Sequence, residues 1–136
     1  YVAGMAFSNV GLGVVHGMAH PMGSLFDIPH GVANALLLPT IMEYNKPLSI
    51  KKYVEIAKAM DAYKEGMTKA EAAQAACDAV RALAIEVGIP QHLSDLGITA
   101  KDIDALADQA IEDVCTPGNP RLVTRQDIVE LYKKVL

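Results

Sequence analysis

Two short segments near the start of the chain read His16-Gly17-Met18-Ala19-His20-Pro21 and, after a loop, Pro29-His30-Gly31. His16 and His20 are four residues apart, so on a helix they lie on one face. A backbone that turns at Pro21 can bring His30 back beside His16. Three histidines so close in sequence are hard to explain by core packing alone. We therefore predict a metal site or active site, because neutral imidazole is a common ligand for iron and zinc.

Formal charge is almost absent around these histidines. Between Tyr1 and Met42 the only formally charged side chain is Asp27, and most of the 12 basic and 16 acidic residues follow Met42. A segment without charges is rarely a solvated surface. We therefore expect residues 1–42 to form a buried or interface-facing core, with residues 43–136 as amphipathic helices around it.

The hydrophobic pattern predicts helices and no strands, because alternating β-branched runs and hairpin turns are missing. The helices are predicted at residues 2–20, 31–45, 49–60, 68–88, 99–114 and 124–136. Pro21 and Gly23 should end the first helix, and Pro39 should kink the second. Ser49 should cap the third, and Thr68 with Glu71 forms a capping box for the fourth. The sum is a single all-α domain of about six helices.

Composition limits the possible partners and location. The 136 residues suffice for one compact domain. The net charge of −4 and the pI near 5.5 argue against nucleic-acid binding and against an anionic membrane surface. No apolar run reaches the roughly 20 residues of a membrane-spanning helix. Two cysteines are too few for a disulfide scaffold, and no secretory signal is visible, so we expect a reducing, cytoplasmic location.

Two other motifs are excluded because the residues that they require are missing. Gly17 stands where a zinc protease needs glutamate after the first histidine. The run Gly11-Leu12-Gly13 resembles the start of a dinucleotide-binding loop, but no strand precedes it and His16 replaces its third glycine. Spacing alone would pair His16 with His20 as metal ligands. A non-catalytic helical module that binds a metal through His16, His20 and His30, or that self-associates, therefore remains an alternative.

Further segments accompany the histidines. They are Gly31-Val32-Ala33-Asn34-Ala35, Leu38-Pro39, Tyr44-Asn45, Asp113-Val114-Cys115-Thr116 and Gly118-Asn119-Pro120-Arg121. Together these segments closely resemble the signature of the iron-containing alcohol dehydrogenases, which have a dehydroquinate synthase-like fold. The resemblance covers the whole chain. It implies the C-terminal all-α domain of an enzyme whose N-terminal α/β domain, absent from these residues, binds NAD(P).

The resemblance also implies a reaction and roles for individual residues. Within the family the chain is most similar to members that act on propanediol, so short-chain alcohols or diols and their aldehydes are the expected substrates. The family holds Fe²⁺ with one Asp and three His, Zn²⁺ being the chemical alternative at such a site, and His16 and His30 match two of these histidines. His20 becomes a non-ligand that faces the nicotinamide and the substrate, either as a proton relay or as a contact to the cofactor ribose. Phe7, Leu12 and Cys115 match positions of the substrate pocket.

The remaining two metal ligands of the family belong to an upstream D-x-x-x-H segment that these 136 residues do not contain. Two protein ligands cannot reproduce a four-ligand site. We therefore expect these residues alone to have no dehydrogenase activity and no bound NAD. We also expect them to associate with the missing N-terminal domain or with themselves as a homo-oligomer.

Overall fold

The computed structural model describes residues 1–136 and contains six α-helices and no strands. The helices are α1 Val2–Val10, α2 Val14–Phe26, α3 His30–Ala59, α4 Lys69–Glu86, α5 Ile103–Glu112 and α6 Arg125–Lys134. Two short 3₁₀ helices, Leu93–Leu96 and Thr116–Gly118, lie on either side of α5. The predicted all-α architecture of about six helices is confirmed, although the chain divides differently at its N-terminal end.

The prediction of one helix over residues 2–20 is wrong, because two helices occupy this stretch and the second extends beyond residue 20. The chain breaks at Gly11, which has a φ of 81°, and the axes of α1 and α2 differ by 100°. Helix α2 then continues through Pro21 to Phe26. Met18, Ala19 and Met22 are fully buried around this proline. Core packing therefore stabilises the helix beyond the point at which local propensity would end it.

Helix α3 contains both predicted helices, over residues 31–45 and 49–60, and they meet at a kink. Its only residue with non-helical backbone angles is Ser49, with φ −129° and ψ 16°. Ser49 therefore lies at the kink, and its hydroxyl makes no capping hydrogen bond, while the helix continues through Pro39 with helical backbone angles. Pro47 precedes the bend by two residues and lacks the N–H that a continuous helix needs at that position.

The core that holds the histidine helix in place is built mainly by α2, α3, α5 and α6. The largest fully buried side chain in it is Tyr132 of α6, whose hydroxyl donates a 2.6 Å hydrogen bond to the backbone carbonyl of Met18. A smaller apolar cluster joins α3 to α4 and includes Tyr53 and Cys77. Cys77 is fully buried there and acts as a small hydrophobic side chain.

The sequence predicts a buried or interface-facing core over residues 1–42, but none of the residues of helix α1 is buried. Val2, Met5, Phe7 and Val10 are instead at least half exposed. The remainder of the charge-poor stretch, in α2 and the first half of α3, does contribute to the main cluster. No single helix is long and apolar enough to cross a membrane, although α1 and α2 together, as a bent pair, have the required length and composition.

Two helices begin with reciprocal hydrogen bonds between a threonine and an acidic residue. The Thr68 hydroxyl accepts the N–H of Glu71, and the Glu71 carboxylate accepts the N–H of Thr68, which confirms the predicted capping box. Thr124 and Asp127 repeat this arrangement at α6. The hydrogen bonds from Thr124 hold the pKa of the Asp127 carboxyl below its ordinary value of 3.8.

This capping predicts a pH-dependent stability. Because the pKa of Asp127 is lower in the folded chain than in the unfolded chain, its contribution is present above the unfolded value and is lost as the pH falls through the folded value. Thr124→Ala should cost about 1 kcal/mol at neutral pH and less in acid. Thermal unfolding at both pH values measures the difference. Thr124→Ser keeps the hydroxyl and should be as stable as the parent chain. If Thr124→Ala lost the same stability at both pH values, the expectation would be contradicted.

Candidate metal and active site

The three histidines of the N-terminal region converge on one site. His16 and His20 lie one turn apart on α2, and His30 is the first residue of α3. The chain reverses direction at Asp27, whose backbone is left-handed with φ 54° and ψ 31°. The ring centroid of His30 lies 5.3 Å from that of His16 and 5.3 Å from that of His20. The reversal predicted between His16 and His30 is therefore present, although it begins after Phe26 and not at Pro21.

The environment of His16 favours its neutral form. Partial burial, together with the nearby rings of His30 and His20, lowers the pKa of His16 below 6.5, and this outweighs the opposing effect of Asp113. The imidazole of His16 is consequently unprotonated at neutral pH. It has a free nitrogen lone pair, which is the form that binds a metal ion.

His20 is held by a carboxylate from a distant part of the chain. Its Nδ1 lies 2.7 Å from Oδ2 of Asp113, which follows α5. The other carboxylate oxygen of Asp113 accepts the backbone N–H of Cys115 at 2.8 Å. Burial alone would raise the pKa of Asp113, but the hydrogen bonds from Cys115 and His20 hold it below 3.8. Asp113 is thus ionised, and it fixes the orientation of the His20 ring.

An asparagine one turn further along α3 fixes the third ring. The Asn34 side-chain amide donates to the backbone carbonyl of His30 at 2.9 Å and lies 2.9 Å from Nε2 of the same residue. The Asn34 carbonyl oxygen is buried without a hydrogen-bond partner. Asn34 therefore restricts the rotation of the His30 ring.

The three residues predicted for the substrate pocket lie together. Phe7, Leu12 and Cys115 line one open groove of about 490 Å³, which is bounded in part by Gly118. Gly118 also borders the neighbouring groove of about 570 Å³ that contains His16 and Asn34. A Cβ at Gly118 would come within 2.1 Å of the Leu12 carbonyl oxygen, so this close contact requires glycine.

The loop that carries Cys115 is fastened to α3 by two neighbouring contacts. Asn45 and Asn119 exchange hydrogen bonds of 2.9 and 2.8 Å through their side chains. The guanidinium of Arg121 stacks on the ring of Tyr44 at 3.9 Å and donates to the Tyr44 carbonyl at 3.0 Å. Segments that are far apart in the sequence motif therefore touch in the fold, and they place Cys115 beside the histidines.

Sequence reasoning assigned no role to Asp113 or Asn34. Asn34 follows His30 by four residues, so helical spacing could have indicated the contact. Asp113 lies 93 residues from His20. The only available signal was its position two residues before Cys115 within the quoted motif. The residues that were predicted, namely His16, His20, His30, Phe7, Leu12 and Cys115, all lie in this one region, and their chemical roles remain predictions.

Comparison with known proteins places the whole chain in one family. Residues 1–136 match the model of the Fe-containing alcohol dehydrogenase family, C-terminal. The chain is 59% identical over 132 residues to lactaldehyde reductase of Escherichia coli K12, covering 97% of this chain and 35% of that protein. It is 42% identical to 1,3-propanediol dehydrogenase of Citrobacter freundii, covering 98% of this chain and 34% of that protein.

Solved structures agree with these relatives. A crystal structure of a 1,3-propanediol oxidoreductase superposes with a TM-score of 0.96 at 42% identity, covering 98% of this chain and 35% of that one. The alcohol dehydrogenase from Oenococcus oeni superposes with a TM-score of 0.94 at 40% identity, again covering 98% of this chain and 35% of that one. The chain thus spans about a third of the length of the relatives it matches. The resemblance predicted from the sequence is confirmed: the chain belongs to the iron-containing alcohol dehydrogenase family and corresponds to its C-terminal part.

Proposed function

We propose that this chain is the metal-binding part of an NAD(P)-linked alcohol dehydrogenase that acts on short-chain alcohols or diols, with propanediol and lactaldehyde as the reversible pair. The observation that carries this proposal is the convergence of the His16, His20 and His30 rings at 5.3 to 6.1 Å. The names of the most similar relatives support the substrate class. The two unpaired cysteines suit a reducing compartment such as the cytoplasm.

The donor set fits a divalent metal ion. His16 and His30 would hold it, because both imidazoles lie in the same region and the lowered pKa of His16 leaves that ring unprotonated at neutral pH. Iron bound there would supply Lewis acidity toward the substrate oxygen, while the nicotinamide would supply the hydride acceptor. The other donors, like the nucleotide-binding domain, would come from outside these residues.

The chain's own side chains then have separate tasks. His20 relays the hydroxyl proton of the alcohol, and Asp113 holds its Nδ1 so that the other ring nitrogen faces the site. Phe7 and Leu12 present apolar surface to a short substrate and exclude water from it, and Cys115 closes the groove from the opposite element. These tasks require precise placement, which the fastened loop and the packed α2 provide.

A hybrid protein tests the proposal. In the hybrid enzyme, this chain replaces the matching 132 residues of Escherichia coli lactaldehyde reductase. We expect it to bind a metal and to reduce lactaldehyde with oxidation of reduced nicotinamide. The unaltered relative is the positive control, and a hybrid carrying both His16→Ala and His30→Ala is the negative control. A folded, nucleotide-binding hybrid that shows no such activity would contradict the proposal.

The exposed face of α1 predicts that the 136-residue chain associates when studied alone. An unpartnered apolar helix tends to bind a partner or to self-associate. Met5→Lys with Val10→Lys should reduce both self-association and the binding of a dye that reports apolar surface. Leu122→Lys is the control, since Leu122 is at least as exposed as Met5 and Val10 but lies outside α1. The expectation would be contradicted if the parent chain sedimented as a monomer and did not bind the dye.

A further inference from the structure

We propose that the hydroxyl of Ser8 selects diols over simple alcohols by exchanging a hydrogen bond with the hydroxyl of the substrate that does not react. Ser8 lies in the last turn of α1, next to Phe7, and lines the open groove of about 490 Å³ that also contains Cys115. The inference rests on the proposed function and refines it, because it concerns the part of the substrate that the reaction leaves unchanged.

The chemical make-up of this groove singles out Ser8. Phe7, Leu12 and Val114 offer only hydrocarbon, and two further lining positions are glycines without a side chain. The thiol of Cys115 is a weak hydrogen-bond donor and a weak acceptor. Ser8 therefore supplies the only side-chain oxygen in the groove, and a hydroxyl both donates and accepts, as the second hydroxyl of a diol does.

The Ser8 hydroxyl has no partner within the chain. The only side-chain hydrogen bond in α1 is donated by Asn9 to the Met5 carbonyl at 2.7 Å. A helical serine often donates to the carbonyl four residues earlier, but Ser8 makes no such bond to Gly4. Because Ser8 is exposed, its hydroxyl can exchange a water molecule for a substrate hydroxyl without losing a hydrogen bond of the fold.

The groove is continuous with the histidine site. Gly11, Leu12 and Gly118 line both this groove and the neighbouring groove that contains His16. A substrate whose reacting end lies near the histidines can therefore extend past Leu12 toward Ser8. A second hydroxyl on that substrate meets an oxygen there, whereas the corresponding hydrogen of a simple alcohol leaves the Ser8 hydroxyl without that partner.

Ser8 acts on selectivity and not on the chemical step. Its hydroxyl neither gains nor loses a proton, so the relay through His20 is independent of it. The groove is open, and one hydrogen bond between neutral groups therefore sets the size of the effect. We expect a preference of about fivefold for the diol from this contact.

Two substrates with the same carbon skeleton test the inference in the hybrid enzyme. Oxidation of 1,2-propanediol and of 1-propanol gives a ratio of kcat/KM values that depends on the second hydroxyl. Ser8→Ala should lower this ratio about fivefold. Alanine is the strongest helix former, so α1 should stay helical, and circular dichroism checks this. Ser8→Thr keeps the hydroxyl and should restore the ratio.

Ser49→Ala is the matched control, because it removes another serine hydroxyl, at the kink of α3 and outside the groove. It should leave the ratio unchanged. The inference would be overturned if Ser8→Ala left the ratio unchanged, or if it lowered kcat/KM equally for both substrates, as a purely structural role would. An active hybrid with either result contradicts this inference alone. A folded hybrid that oxidises neither substrate contradicts the proposed function, and this inference with it.

Discussion

Replacing His16 or His30 with alanine in the hybrid enzyme is expected to lower kcat/KM for lactaldehyde by at least about 100-fold, because even outer-shell partners of a metal cost up to that much. Each change would remove one of the two nitrogen donors that we propose for this chain. Steady-state kinetics with excess iron present measures the loss. We expect excess iron to restore only part of the loss, since mass action offsets the raised dissociation constant but does not replace the missing donor.

Two variants separate ligation from general damage. His92→Ala removes a histidine that lies outside the site and should leave the kinetics unchanged. His20→Ala should lower kcat while the bound metal remains, and it should alter the pH dependence of kcat because the proton relay is lost. Full activity in His30→Ala, combined with complete loss in His20→Ala, would show that helical spacing assigns the ligands better than the family resemblance does.

Replacing Tyr132 with alanine is expected to destabilise the fold by about 3–5 kcal/mol, the usual cost of removing a buried aromatic ring. Tyr132 is fully buried, and its hydroxyl ties α6 to the Met18 carbonyl of the histidine helix. Tyr132→Phe keeps the ring and loses only the hydrogen bond, so it should cost about 1 kcal/mol. Urea unfolding followed by circular dichroism gives both values.

Tyr63 provides the matched control, because it is a tyrosine on the surface of the same chain. Tyr63→Ala should change the free energy of unfolding by less than about 1 kcal/mol, as is usual for exposed positions. If Tyr132→Ala were no more destabilising than Tyr63→Ala, the contact between Tyr132 and the Met18 carbonyl could not be what positions the histidine helix.

The sequence predicted the helical class and most helix starts because those features are local. The capping box at Thr68 needs only residues within one turn, and the structure confirms it. The error at Pro21 has the opposite origin. Tertiary packing around Met18 and Met22 outweighs the cost of a proline inside the helix, and no local pattern reports that packing.

The site follows the same division between local and distant information. His16 and His20 are neighbours by helical spacing, and their grouping with His30 needed only one short reversal of the chain. The hydrogen bond between His20 and Asp113 joins α2 to the loop after α5, and no regular spacing in the sequence predicts it. The contact between Asn45 and Asn119 is similarly distant. Motif resemblance pointed to these segments, but only the fold shows which atoms meet.

Metal content of the hybrid enzyme tests the central claim most directly, because that claim is that His16 and His30 bind the same ion. Mass spectrometry of the purified protein and of its three histidine variants counts the iron per chain. We predict iron in the parent and in His20→Ala, and its loss in both His16→Ala and His30→Ala. Retention of iron in His30→Ala together with its loss in His20→Ala would contradict the account.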